Sequence, residues 1–237
     1  MWMRPVGAAV LGVATSLSLC APAQAAAADR QQARVNCARA KCVALTFDDG
    51  PAPGTARLLK LLKRNGVRAT FFVVGTQARA RPALVARAHA DGHEIGDHTE
   101  HHQQLTGLPS GLIRREIGGT RRTITRLTGT RPALFRPPYG ATDRRVAVQA
   151  RRLGLAQILW DVDTLDWRDR SSPTVARRAI GGLHRGAIIL MHDSHPTTID
   201  AVPRILRAAK AKGYTLVTVS ELLGRTVPGK TYRRGRR

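Results

Sequence analysis

Aromatic residues are scarce: four Phe, three Tyr and three Trp in 237 residues, too few to build the stacking platforms that hold nucleic-acid bases. Acidic residues are also few, 16 Asp and Glu against 39 Lys and Arg. Three cysteines rule out a zinc site made of four thiolates. There is no glycine-rich phosphate loop, internal repeat or long linker, which argues against P-loop nucleotide chemistry and against a solenoid. The apolar stretch from Val6 to Cys20 falls short of the roughly 20 residues a membrane-spanning helix needs.

That stretch follows Arg4 and leads to the small-residue site Ala23-Gln24-Ala25, the layout of a secretory signal peptide over residues 1–25. Lipid attachment at Cys20 is disfavoured by the bulky Leu19. The expected product is secreted, possesses no stable membrane insertion, and is a monomer. Export leaves Cys37 and Cys42, for which an oxidising compartment favours a short disulfide that pins an N-terminal arm, 26–41, to the first strand. The end, 225–237, is basic and without acids and is expected to be a solvated tail. Without Arg4 and the six basic residues of that tail, the body still carries +16. For an exported chain this points to an anionic cell envelope rather than to nucleic acid, although surface solubility accounts for the charge equally well. With 43% apolar residues, the body, 42–224, can bury one substantial core.

Seven β-rich runs, "CVALTFDD", "RATFFVVG", "HEIGDHT", "ALFRPPYG", "AQILWDVD", "AIILMHD" and "YTLVTVS", alternate with helical patterns. Several are continuously apolar, as in strands covered on both faces. Ile113, Ile117, Ile124 and Leu127 repeat at helical spacing, as do Ile199, Val202, Leu206 and Ala209, with basic residues opposite. Helix stops fall at Asn65-Gly66, Asp91-Gly92 and Lys212-Gly213. Such alternation implies an α/β fold with a parallel sheet. Asp48-Asp49, His98, Arg136, Asp161 to Asp166 and His192 all fall at C-terminal strand ends, and a closed or nearly closed barrel brings that many ends to one mouth. The expected architecture is a distorted (β/α) barrel of about seven parallel strands with its active site at that mouth.

His98 and His102 are four apart and share a face if their segment is helical. With Asp49 they form a two-histidine, one-carboxylate set suited to a catalytic zinc or similar divalent ion. Turn chemistry explains Gly50-Pro51 well but the second strand-end acid poorly. Successive strand side chains point to opposite sides, so one aspartate is expected to ligate while the other acts. His89, His93 and His184 are expected to be structural or solvated, and His101 is not assigned to the site. Asp161, Asp163 and His195 lie near the mouth, with Asp163 as suited to its own loop as to substrate.

"TFDDGP" (46–51), "HTEHH" (98–102), "RPPYG" (136–140), "DTLDW" (163–167) and "LMH" (190–192) resemble the five ordered motifs of the polysaccharide deacetylases, the family sharing the NodB homology domain. The similarity spans 42–223. Asp97 stands where the family often has Asn. The resemblance implies Asp48 as general base, Asp49, His98 and His102 as metal ligands, and Arg136 as the partner that keeps Asp48 ionised. It implies the Tyr139 amide as oxyanion donor, and His192 as general acid oriented by Asp166. Pro138, Trp167 and Leu190 are implied at the substrate pocket. The implied cofactor is one divalent ion, zinc before cobalt, nickel or manganese. The implied activity is removal of N-acetyl groups from a β-1,4-linked N-acetylglucosamine polymer, peptidoglycan first, then chitin, with acetyl xylan as the ester alternative. Two other classes remain at this level: a wall-binding protein without chemistry, and a nucleic-acid binder with steep salt dependence and no metal requirement.

Overall fold

The computed structural model describes residues 1–2 and 35–235. The expected signal peptide, beyond its first two residues, and the arm up to 34 lie outside the described residues. From Val35 onward the order is β1 (Cys42–Asp48), α1 (Thr55–Arg64), β2 (Thr70–Val73), α2 (Gly75–Ala80), α3 (Pro82–Ala90) and β3 (Glu94–Asp97). Then come α4 (Ser110–Thr128), β4 (Leu134–Phe135), α5 (Arg144–Arg152), β5 (Ala156–Ile158), β6 (Val162–Asp163), α6 (Asp166–Asp169) and α7 (Ser172–Gly181). The chain closes with β7 (Ile188–His192), α8 (Pro196–Ala211), β8 (Thr215–Val217), α9 (Val219–Leu223) and β9 (Thr231–Tyr232). No helix among the described residues is long and apolar enough to cross a membrane.

The strands form one sheet in the order β6-β7-β1-β2-β3-β4-β5-β9, with β8 paired to β1. Every pairing is parallel. β8 takes the first half of β1, Cys42 to Ala44, and β2 takes the second, Thr46 to Asp48. The sheet curls into a half-barrel, and among the described residues no pairing joins its end strands β6 and β9.

All seven residues of β1 are buried because the strand is covered on both faces, the reason its sequence lacks polar alternation below the mouth. Val43, Leu45 and Phe47 enter the larger cluster, with Leu58, Leu59 and Leu62 of α1 and the apolar stripes of α7 and α8. Cys42 and Ala44 face a smaller interior cluster with Phe72, Ile158, Ile188 and Val217. Each fully buried leucine contributes about 1.5–3 kcal/mol by leaving water. Above Ala44, the interior-facing side continues as Thr46 and Asp48, so the barrel becomes polar where the strands end.

Two expectations change. "AQILWDVD" contributes two strands, β5 and β6, and the basic end is not wholly solvated. Gln157 N–H donates to the Lys230 carbonyl and Leu159 N–H to that of Tyr232, at 2.9 and 2.8 Å, which makes 231–232 an edge strand against β5. Charge alone hid it: Thr231 and Tyr232 suit a strand, and the flanking arginines remain free to reach water. The disulfide Cys37–Cys42 is present and ties the arm to the start of β1. The helix stops fall as expected, with Gly66, Gly92 and Gly213 at φ of 62°, 83° and 72°.

Candidate active site

Asp48 ends β1 beside His192, the last residue of β7, with which it is in register. Arg136 follows β4, is completely buried, and fills the interior under the mouth. Its Nη1 donates to Asp48 Oδ1 at 2.7 Å and to Thr46 Oγ1 at 2.8 Å. Its Nε and Nη2 donate to the Ile158 and Leu159 carbonyls at 3.1 and 3.3 Å. The guanidinium also lies 4.2 Å from the Phe72 ring centroid. Burial pulls the Arg136 pKa down, opposed by the Asp48 carboxylate.

Asp49 lies just past the strand with φ 70°. Side-chain alternation therefore does not separate the two aspartates, because the left-handed backbone turns Asp49 toward the same mouth. His98 Nε2 is 3.6 Å from Asp48 Oδ2 and 3.4 Å from Asp49 Oδ1. His102 Nε2 is 3.2 Å from that same Asp49 oxygen. Thr99 and His102 have φ of 68° and 58°, so His98 and His102 meet across a tight turn rather than along a helix. Their rings stand edge to face with centroids 4.9 Å apart.

These three side chains fit a divalent cation. One ligand atom from each of Asp49, His98 and His102 lies within 4.8 Å of the others, and Asp49 Oδ1 is buried without a hydrogen-bond donor. His98 Nδ1 is 2.7 Å from the Arg136 carbonyl, which only accepts, so Nδ1 carries the proton and Nε2 offers its lone pair to the site. Burial, with His98 next, lowers the His102 pKa and keeps that ring a lone-pair donor. Burial opposes the charge on Asp49, but the neighbouring imidazoles, His98 first and then His192 and His102, hold its carboxylate well below the ordinary range.

Across the mouth, His192 Nδ1 pairs with Asp166 Oδ1 at 2.7 Å. The other Asp166 oxygen accepts from the His192 backbone N–H at 2.7 Å and from Thr198 Oγ1 at 2.6 Å. Burial disfavours a charged His192, but Asp166, followed by Asp48 and Asp49, outweighs it and raises the pKa to about 9. Burial likewise opposes the Asp166 charge, and the His192 contacts and Thr198 still hold it low. Tyr139 has φ 61°, is 67% exposed, and lays its ring against His102 at 4.9 Å. Pro138 is buried beneath it. Leu190 is buried two residues before His192 and so shares its side of β7. Trp167 stands half-exposed at the rim, its backbone N–H donating to Asp166 Oδ1 at 2.9 Å.

Bonding places the other polar residues named from the sequence. Asp163, the last residue of β6, accepts at Oδ1 from Leu165 N–H at 2.8 Å and so braces the turn that follows its strand. Asp161 is not at the mouth: it accepts from Ile188 N–H, at the opposite end of β7, and pairs with His184 at 3.0 Å. His195 lies 5.6 Å from the His192 ring and accepts from Arg170 at 2.8 Å. His93 is buried, and burial lowers its pKa to about 4, so it is a neutral core residue.

Two supporting residues escaped sequence reasoning. Glu116 of α4 accepts from the His101 backbone N–H at 2.9 Å and pairs with His101 Nδ1 at 2.8 Å, clamping the turn that carries His102. If Asp49, His98 and His102 hold a divalent ion, Glu116→Ala is expected to weaken its binding by about 10- to 100-fold, read by competition with a chelating indicator. His101→Ala, which keeps the backbone bond, should lose less. Asp193, wholly buried next to His192, pairs with Thr55 and presses on Gly50, where any Cβ would strike its carboxylate. Burial, with Asp49 and Asp48 adding, raises the Asp193 pKa to about 7.

A family model described as polysaccharide deacetylase matches residues 35–158. A peptidoglycan-N-acetylglucosamine deacetylase of Listeria monocytogenes, PgdA, is 41% identical over 194 residues, covering 81% of this chain and 41% of its own. A peptidoglycan-N-acetylmuramic acid deacetylase of Bacillus subtilis, PdaC, is 39% identical over 77% of this chain and 38% of its own. This chain thus spans about two fifths of the length of these curated relatives. Among solved structures, a deacetylase with substrate superposes at TM-score 0.80 with 40% identity, covering 84% of this chain and 99% of that one. Likeness of this extent, in sequence and in three dimensions, settles the ancestry: the chain belongs to the polysaccharide deacetylase family.

Proposed function

We propose that the protein is a secreted, metal-dependent deacetylase that hydrolyses the N-acetyl groups of N-acetylglucosamine in peptidoglycan. The observation that carries this reading is Asp49 Oδ1, buried without a donor between two histidine Nε2 atoms, with Asp48 beside it on Arg136. The names of the Listeria and Bacillus relatives support the polymer. The signal-like start and the disulfide support export.

Asp49, His98 and His102 would hold the ion, zinc in our reading, which supplies Lewis acidity to an acetyl carbonyl and makes water a stronger acid. Asp48 stands next to that position and accepts the proton that the attacking water gives up. Arg136 supplies its counter-charge and fixes its rotamer. The Tyr139 backbone N–H, turned by its left-handed φ, donates to the oxygen on which charge develops. His192 then gives its proton to the departing nitrogen, and Asp166 fixes that ring and favours its charged form. Leu190 and Trp167 wall the acetyl methyl from water.

Purified protein incubated in parallel with peptidoglycan, N-acetylglucosamine oligomers and acetylated xylan should release acetate, peptidoglycan fastest, and chelator should stop it. Undiminished release in excess chelator would exclude this chemistry. Release confined to xylan would move the substrate from amide to ester.

A further inference from the structure

Helix α4 carries a second feature that the catalytic reading does not use. Beside the turn of Glu100 and His101, Arg79, Arg115, Arg122 and Arg126 surround a cavity of about 600 Å³. A second cavity of about 370 Å³ shares Arg122 and Arg126 and adds Arg121 and Arg131. Both acids of the first cavity are engaged: Glu100 pairs with Arg79 and accepts from Thr120, and Glu116 holds His101. Arg115, Arg122 and Arg126 are exposed and, among the described residues, make no ion pair.

Arg122 and Arg126 are one helical turn apart, and Arg115 is two turns before Arg122, so the three fall on one face of α4. Like charges at that spacing repel, and the free fold gains nothing by gathering them. An anion entering the groove removes that repulsion, and guanidinium is the side chain best matched to carboxylate. The groove starts at His101, the residue before His102. The groove and the three proposed ligands thus share one turn of the chain, Glu100 to His102, so a polymer that offers an acetamide to the ligands is presented beside the groove.

We propose that this arginine groove binds the carboxylates that peptidoglycan bears on its muramic acid peptides, so that acidic glycan is preferred to neutral N-acetylglucosamine oligomers. The inference rests on the same polymer being the one deacetylated. It differs from a general attraction of a basic protein to an acidic wall, because it places the recognition on one helix face.

The test compares Arg115→Gln/Arg122→Gln/Arg126→Gln with a control, Arg204→Gln/Arg207→Gln/Lys210→Gln, which removes the same charge from exposed positions of α8. Each is co-sedimented with peptidoglycan, at low and high salt, and with the same peptidoglycan after amidation of its carboxyls. The groove variant should bind untreated peptidoglycan about tenfold more weakly than wild type at low salt, with the control within about twofold. Amidation or high salt should erase the difference between the groove variant and wild type. Acetate release from N-acetylglucosamine oligomers should be the same for all three proteins. Equal losses in the two variants, or full binding by the groove variant, would overturn the proposal. Sedimentation requires no turnover, so it decides the groove even for a chain that releases no acetate.

Discussion

Asp48→Asn is expected to slow acetate release by about 10²- to 10⁴-fold, the usual worth of a positioned general base, while the protein still binds its metal. The amide keeps the shape of the carboxylate and still accepts from Arg136 Nη1, now 2.7 Å from Asp48 Oδ1, but it cannot take a proton from water. Both variants leave Arg136 without its counter-charge, and Asp48→Ala should show the larger folding defect because it also removes the acceptor of the Nη1 hydrogen bond. Arg136 is completely buried, and removing the partner of a buried ion pair typically costs about 3–5 kcal/mol. For a domain of this size that corresponds to a fall in Tm of roughly 2–4 °C per kcal/mol, read by calorimetry. The hydrogen bonds from Arg136 to Thr46 and to two carbonyls keep the loss toward the lower end. An asparagine variant with nearly full activity would remove Asp48 from the chemistry.

His192→Gln is expected to cost a comparable 10²- to 10⁴-fold, roughly, on an N-acetyl substrate and less on an O-acetyl one. An amine nitrogen cannot leave as an anion, whereas an alkoxide can. His192 donates only when protonated, so activity is retained below its pKa and lost as pH rises through it. With that pKa raised to about 9, chiefly by Asp166 against the effect of burial, the alkaline limb of kcat lies above the ordinary histidine range. Asp166→Asn should move that limb downward, because the largest opposing influence to burial is gone. The same displacement is a stability statement: His192 contributes stability that is full below about pH 6.5 and is lost as pH climbs toward about 9. Equal losses on amide and ester, with no movement of the limb in Asp166→Asn, would contradict the assignment.

The chemistry-bearing residues were legible because each closes or follows a strand, and a parallel sheet places all such ends on one side. The backbone that aims them was not. Among the described residues, all six non-glycine residues with left-handed φ, namely Asp49, Thr99, His102, Tyr139, Leu165 and Arg170, sit in or beside the five motifs. Threonine, tyrosine and leucine rarely adopt that conformation, so no propensity signals it, and only the surrounding bonds impose it. That is why the spacing of His98 and His102 suggested a helix where a turn exists, and why strand alternation wrongly set Asp48 and Asp49 apart. Glu116 was hidden for another reason. On α4 it occupies a position like those of solvated charges, and its burial arises only when the turn of His101 packs over it. The pairing of β9 with β5 joins Thr231 to Gln157, a separation in sequence that local pattern does not reach.

In the proposed enzyme Asp49, His98 and His102 together hold one ion. The most direct measurement is calorimetric titration of chelator-stripped protein with zinc, for wild type and for Asp49→Ala, with folding of each checked by circular dichroism. One tight equivalent is expected for wild type, with recovery of acetate release in step with occupancy and loss of the tight site in the folded variant. Tight binding undiminished in Asp49→Ala, or acetate release by the stripped protein before any zinc is added, would contradict it.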